Sequence, residues 1–283
     1  MALLIIELVF FLMASPAVEA VWTDPEFQSS QESCIDCHSD KAAHEVRHEA
    51  VENGCDICHE ATGEAHPEDG KQGFQLAEQT PDLCYYCHEE PETAHYGHQP
   101  VTDGTCLACH EVHGSSNPAL LKLPDPDLCF SCHPMDGSKI IRHSAIDNGG
   151  CMICHLPHGA AFRSLLTERF PEGEYAPAGT ENFGLCFLCH DTDLLDAEQT
   201  EWATNFRNGD LNLHHLHIRG DKGRSCILCH NLHASGQKFL IEDRIMFGDW
   251  EMKMNFTYHE NGGSCLPGCH GKKPYTRLGN DIQ

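Results

Sequence analysis

Hydrophobic residues form one continuous apolar run near the start of the chain and only short stretches afterwards. The run lies at residues 2–14, and the small residues that follow it, Ser15 to Ala20, are typical of a signal-peptidase site after Ala20. The run is too short to cross a membrane, and no later stretch is long and apolar enough to do so. We therefore predict a signal peptide at residues 1–20 and an exported protein without a transmembrane helix.

The rest of the chain predicts short elements, because the sequence has 24 glycines and 15 prolines, which favour turns and loops. The segments 170–179 and 191–212 are rich in turn-forming and polar residues, and we expect them at the surface. The segment 245–256 alternates around Gly248 and Asp249, which predicts a β-hairpin. The side chains expected on one face of this hairpin are Trp250, Met252, Met254 and Phe256. We favour core packing over metal ligation for the two methionines.

Cysteine spacing changes this picture. The sequence Cys-x-x-Cys-His occurs eight times, and a ninth copy has one extra residue between its cysteines, so that nine motifs use all 18 cysteines. In chain order, motifs I to IX are Cys34/Cys37/His38, Cys55/Cys58/His59, Cys84/Cys87/His88, Cys106/Cys109/His110, Cys129/Cys132/His133, Cys151/Cys154/His155, Cys186/Cys189/His190, Cys226/Cys229/His230 and Cys265/Cys269/His270.

Each motif has the residues that attach a c-type haem: two thiols for thioether bonds and a histidine for the iron. Zinc sites would not need a histidine after every second cysteine, and nine disulfides would not need this spacing. Nine haems in the 263 residues after residue 20 leave about 29 residues for each. We therefore predict a single domain, residues 21–283, in which loops and short helices wrap a chain of haems, with little β-structure.

The motifs recur in pairs, which predicts a repeat of two haems. The repeats span roughly residues 48–88, 98–133, 143–190 and 217–270. In the second repeat, His98 precedes motif IV and His113 follows it three residues after His110. On a helical turn, residues three apart share a face, so one histidine of such a pair can bind its own haem and the other a neighbouring haem.

Thirteen of the 22 histidines lie outside the motifs, enough to give every iron a second imidazole. The predicted distal ligands are His44, His48, His66, His98, His113, His143, His158, His217, His233 and His259. His214 and His215 are alternatives to His217. His44 is a candidate for the first haem, and His95 is a spare histidine.

The formal charge of −25 excludes nucleic acid as a partner, because phosphate binding needs a basic face. An acidic surface suits solubility and basic redox partners. The segment Lys272 to Arg277 is basic and suits an acidic surface of a neighbour.

The unit His-x₇-Cys-x-x-Cys-His-x-x-His-Gly followed by Leu-Cys-x-x-Cys-His is carried by residues 98–133 and 143–190. This unit resembles the doubled-CxxCH family of multihaem c-type cytochromes. The resemblance extends over roughly residues 30–277 and implies electron transfer through haems with two histidine ligands. Relatives act as periplasmic shuttles, outer-membrane conduits and subunits of extracellular filaments, so it implies partners that are redox proteins, an extracellular acceptor or further copies of the chain.

Three classes of function follow from these residues. We favour an electron carrier outside the cytoplasmic membrane, in the periplasm or at the cell surface, serving anaerobic or extracellular respiration as a monomer or a filament subunit. The alternative is a reductase of a small nitrogen or sulfur compound at one open haem, for which motif IX is the place to look. A haem-storage protein is disfavoured because covalent attachment opposes release.

Overall fold

The computed structural model describes residues 30–92 and 95–278, so the predicted signal peptide lies outside the described residues. Within them the chain consists mainly of loops that connect helices of four to eight residues. The helices are α1 Ser30–Cys37, α2 Glu49–Asn53, α3 Asp82–Tyr85, α4 Gln99–Thr102, α5 Asp127–Phe130, α6 Ser144–Gly149, α7 Gly184–Phe187, α8 Asp193–Asp196 and α9 Leu213–Ile218. In the described part of the chain, no helix is long and apolar enough to span a membrane.

The strands form small antiparallel sheets, which confirms the predicted fold of loops and short helices with little β-structure. They are β1 Val46–Arg47, β2 His59–Ala61, β3 Phe74–Leu76, β4 Gly114–Ser115, β5 Ile141–Arg142, β6 Arg207–Asn208, β7 Leu211–Asn212, β8 Ala234–Ser235, β9 Arg244–Phe247, β10 Trp250–Lys253, β11 Thr257–His259, β12 Gly262–Cys265 and β13 Lys273–Thr276. The strand pairs are β1–β4, β2–β3, β5–β8, β6–β7 and β9–β10, and β11, β12 and β13 form a three-stranded sheet.

The predicted hairpin is confirmed as β9–β10. Phe247 pairs with Trp250 across a turn in which Gly248 has a φ of 58°, a left-handed conformation that suits glycine. Met252 and Met254 are buried with Leu228, so both methionines pack in a core as expected. The alternation ends at Asn255, whose φ is 43°.

A second hydrophobic cluster joins the loops on either side of motif VII. Phe183 is fully buried and packs with Leu195 and Ile218. Asn212 is also fully buried, and its side-chain amide donates hydrogen bonds to the carbonyl oxygens of Asp193, Leu194 and Ala197. The expectation that the whole segment 191–212 lies at the surface is therefore wrong, because its apolar and amide side chains close this cluster.

Both clusters lie in the C-terminal part of the chain. Among the described residues before Ala160, no hydrophobic side chain is buried. The loops of that part are joined instead by two-residue strand pairs: β1 to β4, and β5 to the more distant β8. Protein packing alone therefore gives the first part of the chain no hydrophobic core.

Candidate metal centres

The motifs alternate between two local structures. The cysteines of motif I lie in α1, and the first cysteines of motifs III, V and VII lie in α3, α5 and α7. Motifs II, IV, VI and VIII begin instead as 3₁₀ turns, at Cys55–Ile57, Cys106–Ala108, Cys151–Ile153 and Cys226–Leu228. In both forms the amide of the histidine can donate to the carbonyl of the first cysteine, as in His38 to Cys34 at 2.8 Å and His110 to Cys106 at 3.1 Å. This bond closes a turn that holds two thiols and an imidazole together.

Every motif histidine faces the ring of one further histidine. We call each such pair a site and number it by its motif. The pairs and the distances between ring centroids are His38–His66 6.0 Å, His59–His113 6.2 Å, His88–His48 5.9 Å, His133–His98 6.0 Å, His110–His158 5.9 Å, His190–His143 6.2 Å, His155–His233 6.1 Å, His230–His214 6.3 Å and His270–His217 6.4 Å.

These distances fit two imidazoles bound to one metal ion. A metal–imidazole bond is about 2 Å long and the ligating nitrogen lies about 1.1 Å from the ring centroid, so rings on opposite sides of one ion have centroids about 6 Å apart. Rings in van der Waals contact would be closer. The nine pairs thus leave room for an iron ion between each two rings.

The structure places eight of the ten predicted distal histidines in these pairs: His48, His66, His98, His113, His143, His158, His217 and His233. In the described part of the chain, His44 and His259 face no histidine ring: His44 lies beside Gly114, and His259 lies at the end of β11. The distal histidine of site VIII is His214, which the sequence offered only as an alternative to His217. His214 lies three residues before His217, as His110 lies three residues before His113, and this spacing could have identified it as a ligand from the sequence.

The three-residue histidine spacing links one site to another, and in three of the four cases the two sites are not consecutive. His110 belongs to site IV and His113 to site II, while His155 belongs to site VI and His158 to site IV. In the same way, the pair 230 and 233 joins sites VIII and VI, and the pair 214 and 217 on α9 joins sites VIII and IX. Sites II, IV, VI, VIII and IX therefore form one connected series.

Backbone hydrogen bonds tie two further sites to this series. The amide of His48, in site III, donates to the carbonyl of His113 at 3.1 Å, and Nδ1 of His48 donates to the carbonyl of Val112 at 2.8 Å. The amide of His143, in site VII, donates to the carbonyl of His233 at 2.9 Å. These bonds hold His48 of site III beside site II and His143 of site VII beside site VI.

Thiols of consecutive motifs also lie close enough to affect each other. Burial raises the pKa of the Cys55 thiol, and the neighbouring Cys34 thiol raises it further. Each pair of consecutive motifs has neighbouring thiols of this kind. They are Cys34 and Cys55, Cys58 and Cys87, Cys84 and Cys106, Cys109 and Cys129, Cys129 and Cys151, Cys154 and Cys189, Cys186 and Cys226, and Cys229 and Cys265. The nine sites are therefore neighbours in chain order from I to IX.

The two cysteines of a motif differ in exposure, although the sequence treats them as equivalent attachment points. The first cysteine of every motif is half-buried, whereas the second is exposed in each odd-numbered motif, at Cys37, Cys87, Cys132, Cys189 and Cys269. In the even-numbered motifs both cysteines are half-buried. Exposure of the second thiol therefore follows the alternation of helices and 3₁₀ turns, and motif IX belongs with the helical motifs in this respect.

Cys132 and Cys269 are two examples of exposed second cysteines. The helix α5 ends at Phe130, so Cys132 lies beyond it, and its sulfur accepts a weak hydrogen bond from the Ser131 hydroxyl at 3.8 Å. The strand β12 ends at Cys265, and Cys269 lies in the turn that follows, where its thiol donates to Sδ of Met252 at 3.9 Å. Haem attachment through these two exposed cysteines stays a prediction.

Three motif histidines are oriented by a repeated strained loop. Nδ1 of His110, His155 and His230 donates to a carbonyl nine residues further on, at 2.9, 2.9 and 2.8 Å. The accepting residues, Ala119, Ser164 and Phe239, have φ values of 53°, 57° and 61°, and the leucine after each is also left-handed. This conformation costs about 1–2 kcal/mol per non-glycine residue. The bond fixes the tautomer, so Nε2 is left free for a metal.

Five of the distal imidazoles are held in the neutral form that binds metals. Burial lowers the pKa of His113, His143, His158 and His233 below the usual range, and neighbouring histidines lower it further. Burial lowers the pKa of His214 to about 3. A neutral imidazole has a free lone pair, so each of these residues is ready to ligate iron at neutral pH.

Comparison with known proteins bears on the chemistry of these sites. The family model of the doubled CXXCH motif matches residues 48–93, 98–137 and 143–194, and each match begins at a distal histidine. The chain belongs to the doubled-CXXCH family of multihaem c-type cytochromes. The matched segments contain motifs II to VII, so this cytochrome carries covalent haem, and electron transfer is its class of function. No curated protein matches the chain.

Proposed function

We propose that the protein binds nine c-type haems, each between two histidines of the same chain, and conducts electrons along them. The observation that carries the proposal is the set of nine histidine pairs, because motifs I, VIII and IX have the same ring geometry as the motifs in the matched segments. A haem iron with two histidine ligands supplies a one-electron couple of low potential without a change of ligands.

The chain's own residues set the order and spacing of the sites. A turn such as His110 to His113 holds the motif histidine of one site and the distal histidine of another site close together. Neighbouring thiols bring the attachment points of consecutive motifs together. Site I and site IX lie at the two ends of this order. Electrons therefore enter near one end of the series and leave near the other.

Charge differs strongly between these ends. Residues 30–97 contain 16 acidic and 3 basic side chains, a formal charge of −13, whereas residues 201–278 contain 8 acidic and 10 basic ones, a formal charge of +2. Electrostatic steering would bring different partners to the two ends. This asymmetry supports a carrier that connects two redox partners, or a protein and an extracellular acceptor, in anaerobic or extracellular respiration.

We place the protein outside the cytoplasmic membrane, in the periplasm or at the cell surface, because c-type haem is attached there and the N-terminal apolar run has the pattern of an export signal. Whether the protein acts as a shuttle, as a conduit component or as a filament subunit depends on how copies of the chain associate with one another. In the described residues each motif histidine already has a partner in the same chain. Copies that associate would therefore do so through terminal sites with complete ligand sets.

One observation favours the alternative of a reductase at site IX. The rings of His270 and His217 have the largest interplanar angle, 44°, and the largest centroid distance, 6.4 Å. Loss of His217 from the iron would open a position for a small nitrogen or sulfur substrate. If both His270 and His217 bind the iron of site IX, the resting protein has no open position for reduction of such a substrate.

The intact mass of the purified holoprotein, together with its visible spectrum, tests the proposal. We expect a mass increment of nine haems and a fully low-spin spectrum. Fewer than nine haems would contradict the haem count. Nine haems with a high-spin fraction of one ninth would support the reductase.

A further inference from the structure

The carboxylate of Asp125 contacts both motif V and motif VI. Its Oδ1 accepts a hydrogen bond from the amide of Cys151 at 3.0 Å, and its Oδ2 accepts one from the amide of Met152 at 3.2 Å. Oδ1 also lies 3.9 Å from Sγ of Cys129. A residue of the loop before motif V thus closes the first turn of motif VI, 26 residues further along the chain.

Asp125, Cys129 and Cys151 have the donor atoms of a metal site, since the three lie within 4.8 Å of one another. Both thiols, however, belong to haem-attachment motifs, and a thioether sulfur is no longer a thiolate ligand. Metal binding by these three residues is therefore not the role of the Asp125 carboxylate in the holoprotein. It lies beside the two attachment points of neighbouring haems.

The local backbone is built to admit this carboxylate. Gly150 precedes Cys151 with a φ of 73°, and a Cβ at this position would lie 2.1 Å from Oδ2 of Asp125. A side chain here would therefore displace the carboxylate as well as strain the backbone. Glycine at position 150 and aspartate at position 125 are needed together.

The corresponding positions before the other helical motifs lack the charge. Asp125 stands four residues before Cys129, and the residues four before Cys84 and Cys186 are Thr80 and Asn182. The amide of Asn182 donates to the carbonyl of Pro177, within its own loop. Among the helical motifs, the charged residue is therefore specific to the junction between sites V and VI, where two repeats meet.

We propose that Asp125 is a positioning residue for electron transfer, which fixes motifs V and VI against each other and lowers the reduction potentials of both their haems. The oxidised iron carries one more positive charge than the reduced iron, so a carboxylate close by stabilises the oxidised state. The two central sites then have lower potentials than they would with a neutral residue. This inference rests on haem attachment at motifs V and VI.

The test is a spectropotentiometric titration of the holoprotein with Asp125→Asn, alongside its haem content by intact mass. We expect two of the one-electron steps to move to higher potential, with haem content and the low-spin spectrum unchanged. Asp127→Asn is the matched control, because this exposed carboxylate on α5 lies two residues away and should leave the titration unchanged. Superimposable titrations of the wild type and Asp125→Asn at full haem content would overturn the inference.

Thr80→Asp keeps the inference testable if Asp125→Asn fails to mature. It places a carboxylate at the corresponding position before motif III, and we expect two steps to move to lower potential. An unchanged titration of this variant at full haem content would count against a charge effect at these junctions. Absence of haem from motif V or VI of the wild-type protein would instead contradict the proposed function.

Discussion

The two parts of the molecule on either side of Ala160 are stabilised differently. The C-terminal part has two hydrophobic clusters, around Phe183 and around Met252, and these pack against the cysteines of motifs VII and VIII. The described residues before Ala160 bury no hydrophobic side chain, although this part holds six of the nine motifs. The first part must therefore obtain its core from its haems, whereas the second combines haem with protein packing.

The largest expected effect is that of omitting haem attachment, which should affect the two parts of the chain differently. If the chain is produced without haem attachment, residues 30–159 should lose protection from proteolysis, because only short strand pairs and no hydrophobic core then hold their loops together. The segment that includes α7, α9 and the β9–β10 hairpin should keep partial protection. Limited proteolysis with mass spectrometry of the fragments measures both. Equal digestion of the two parts would contradict the comparison.

The next effect concerns single irons in each part. His158→Ala in site IV and His214→Ala in site VIII should each open one iron and make one ninth of the haem high-spin, since each residue is the distal ring of its pair. Carbon monoxide binding to the reduced protein should rise by one molecule per chain. His44→Ala and His259→Ala are the controls and should change neither readout. A low-spin spectrum in His158→Ala or His214→Ala would show that the residue is not a ligand.

Removal of one core side chain sharpens the comparison without touching haem. Leu195 is 2 % exposed, so Leu195→Ala should reduce the free energy of unfolding by about 2–4 kcal/mol through lost burial and a cavity. Ile140 in the first part is 82 % exposed, so Ile140→Ala should change it by less than about 0.5 kcal/mol. Denaturant unfolding of the two holoproteins measures the difference. Similar losses in both variants would mean that Leu195 is not in a core.

Acid should affect exposed sites before buried ones. Burial lowers the pKa of His214 to about 3, below the unfolded value of about 6.5, so the unfolded chain takes up this proton first. The contribution of the neutral imidazole to stability is therefore present above about pH 6.5 and is lost as the pH falls towards 3. In an acid titration of the wild type followed by spin state, the haem of site VIII should stay low-spin at a lower pH than the haem of site I, whose His38 and His66 are exposed. The signals of these two haems are identified by their loss in His214→Ala and His66→Ala. Conversion of both haems at the same pH would contradict this effect of burial.

The smallest effect is one that the two parts share. Ala119 and Ser164 accept the bond from the motif histidine in a left-handed conformation, one in each part of the chain. Ala119→Val and Ser164→Val should each cost about 1–2 kcal/mol, because a β-branched residue is strained there. Thermal unfolding measures both, with Ala119→Gly and Ser164→Gly as controls that relieve strain. A neutral effect of both valine variants would show that the loop does not need this conformation.

Sequence alone predicted the features that depend on local spacing. The cysteine motifs, the β9–β10 hairpin and the spacing of His110 and His113 follow from residues that are close to one another along the chain. Pairing of distant histidines depends on how loops cross, as between His38 and His66 or between His155 and His233. No periodic pattern in the sequence predicts which distant loops come into contact.

A histidine and a segment show the same limit. His259 is one of the predicted distal ligands, but β11 pairs with β12 and places His259 opposite Gly262, outside the described histidine pairs. The segment 191–212 is polar on average, yet Leu195 and Asn212 are buried by contacts with α9 and its neighbours. In both cases tertiary contacts override the average character of the segment.

Exposure of the second motif cysteine is also invisible in the spacing. Cys132 and Cys154 occupy the same position of the same motif, yet Cys132 is exposed after the end of α5 and Cys154 is half-buried beside the Cys189 thiol. Cys269 is also exposed, and it lies in the turn after β12. The motif fixes the type of residue, whereas the packing of the neighbouring loop fixes its burial.

Cryo-electron microscopy of the purified holoprotein tests the central claim most directly, because it locates each iron and the residues on both its faces. The account predicts nine irons in the order of motifs I to IX, each between the two histidines of its site, with His214 at site VIII and His217 at site IX. Discrete particles and filaments are both compatible with this ligand set. An iron with a vacant face, or one held by His44, by His259 or by a histidine from another copy of the chain, would contradict it.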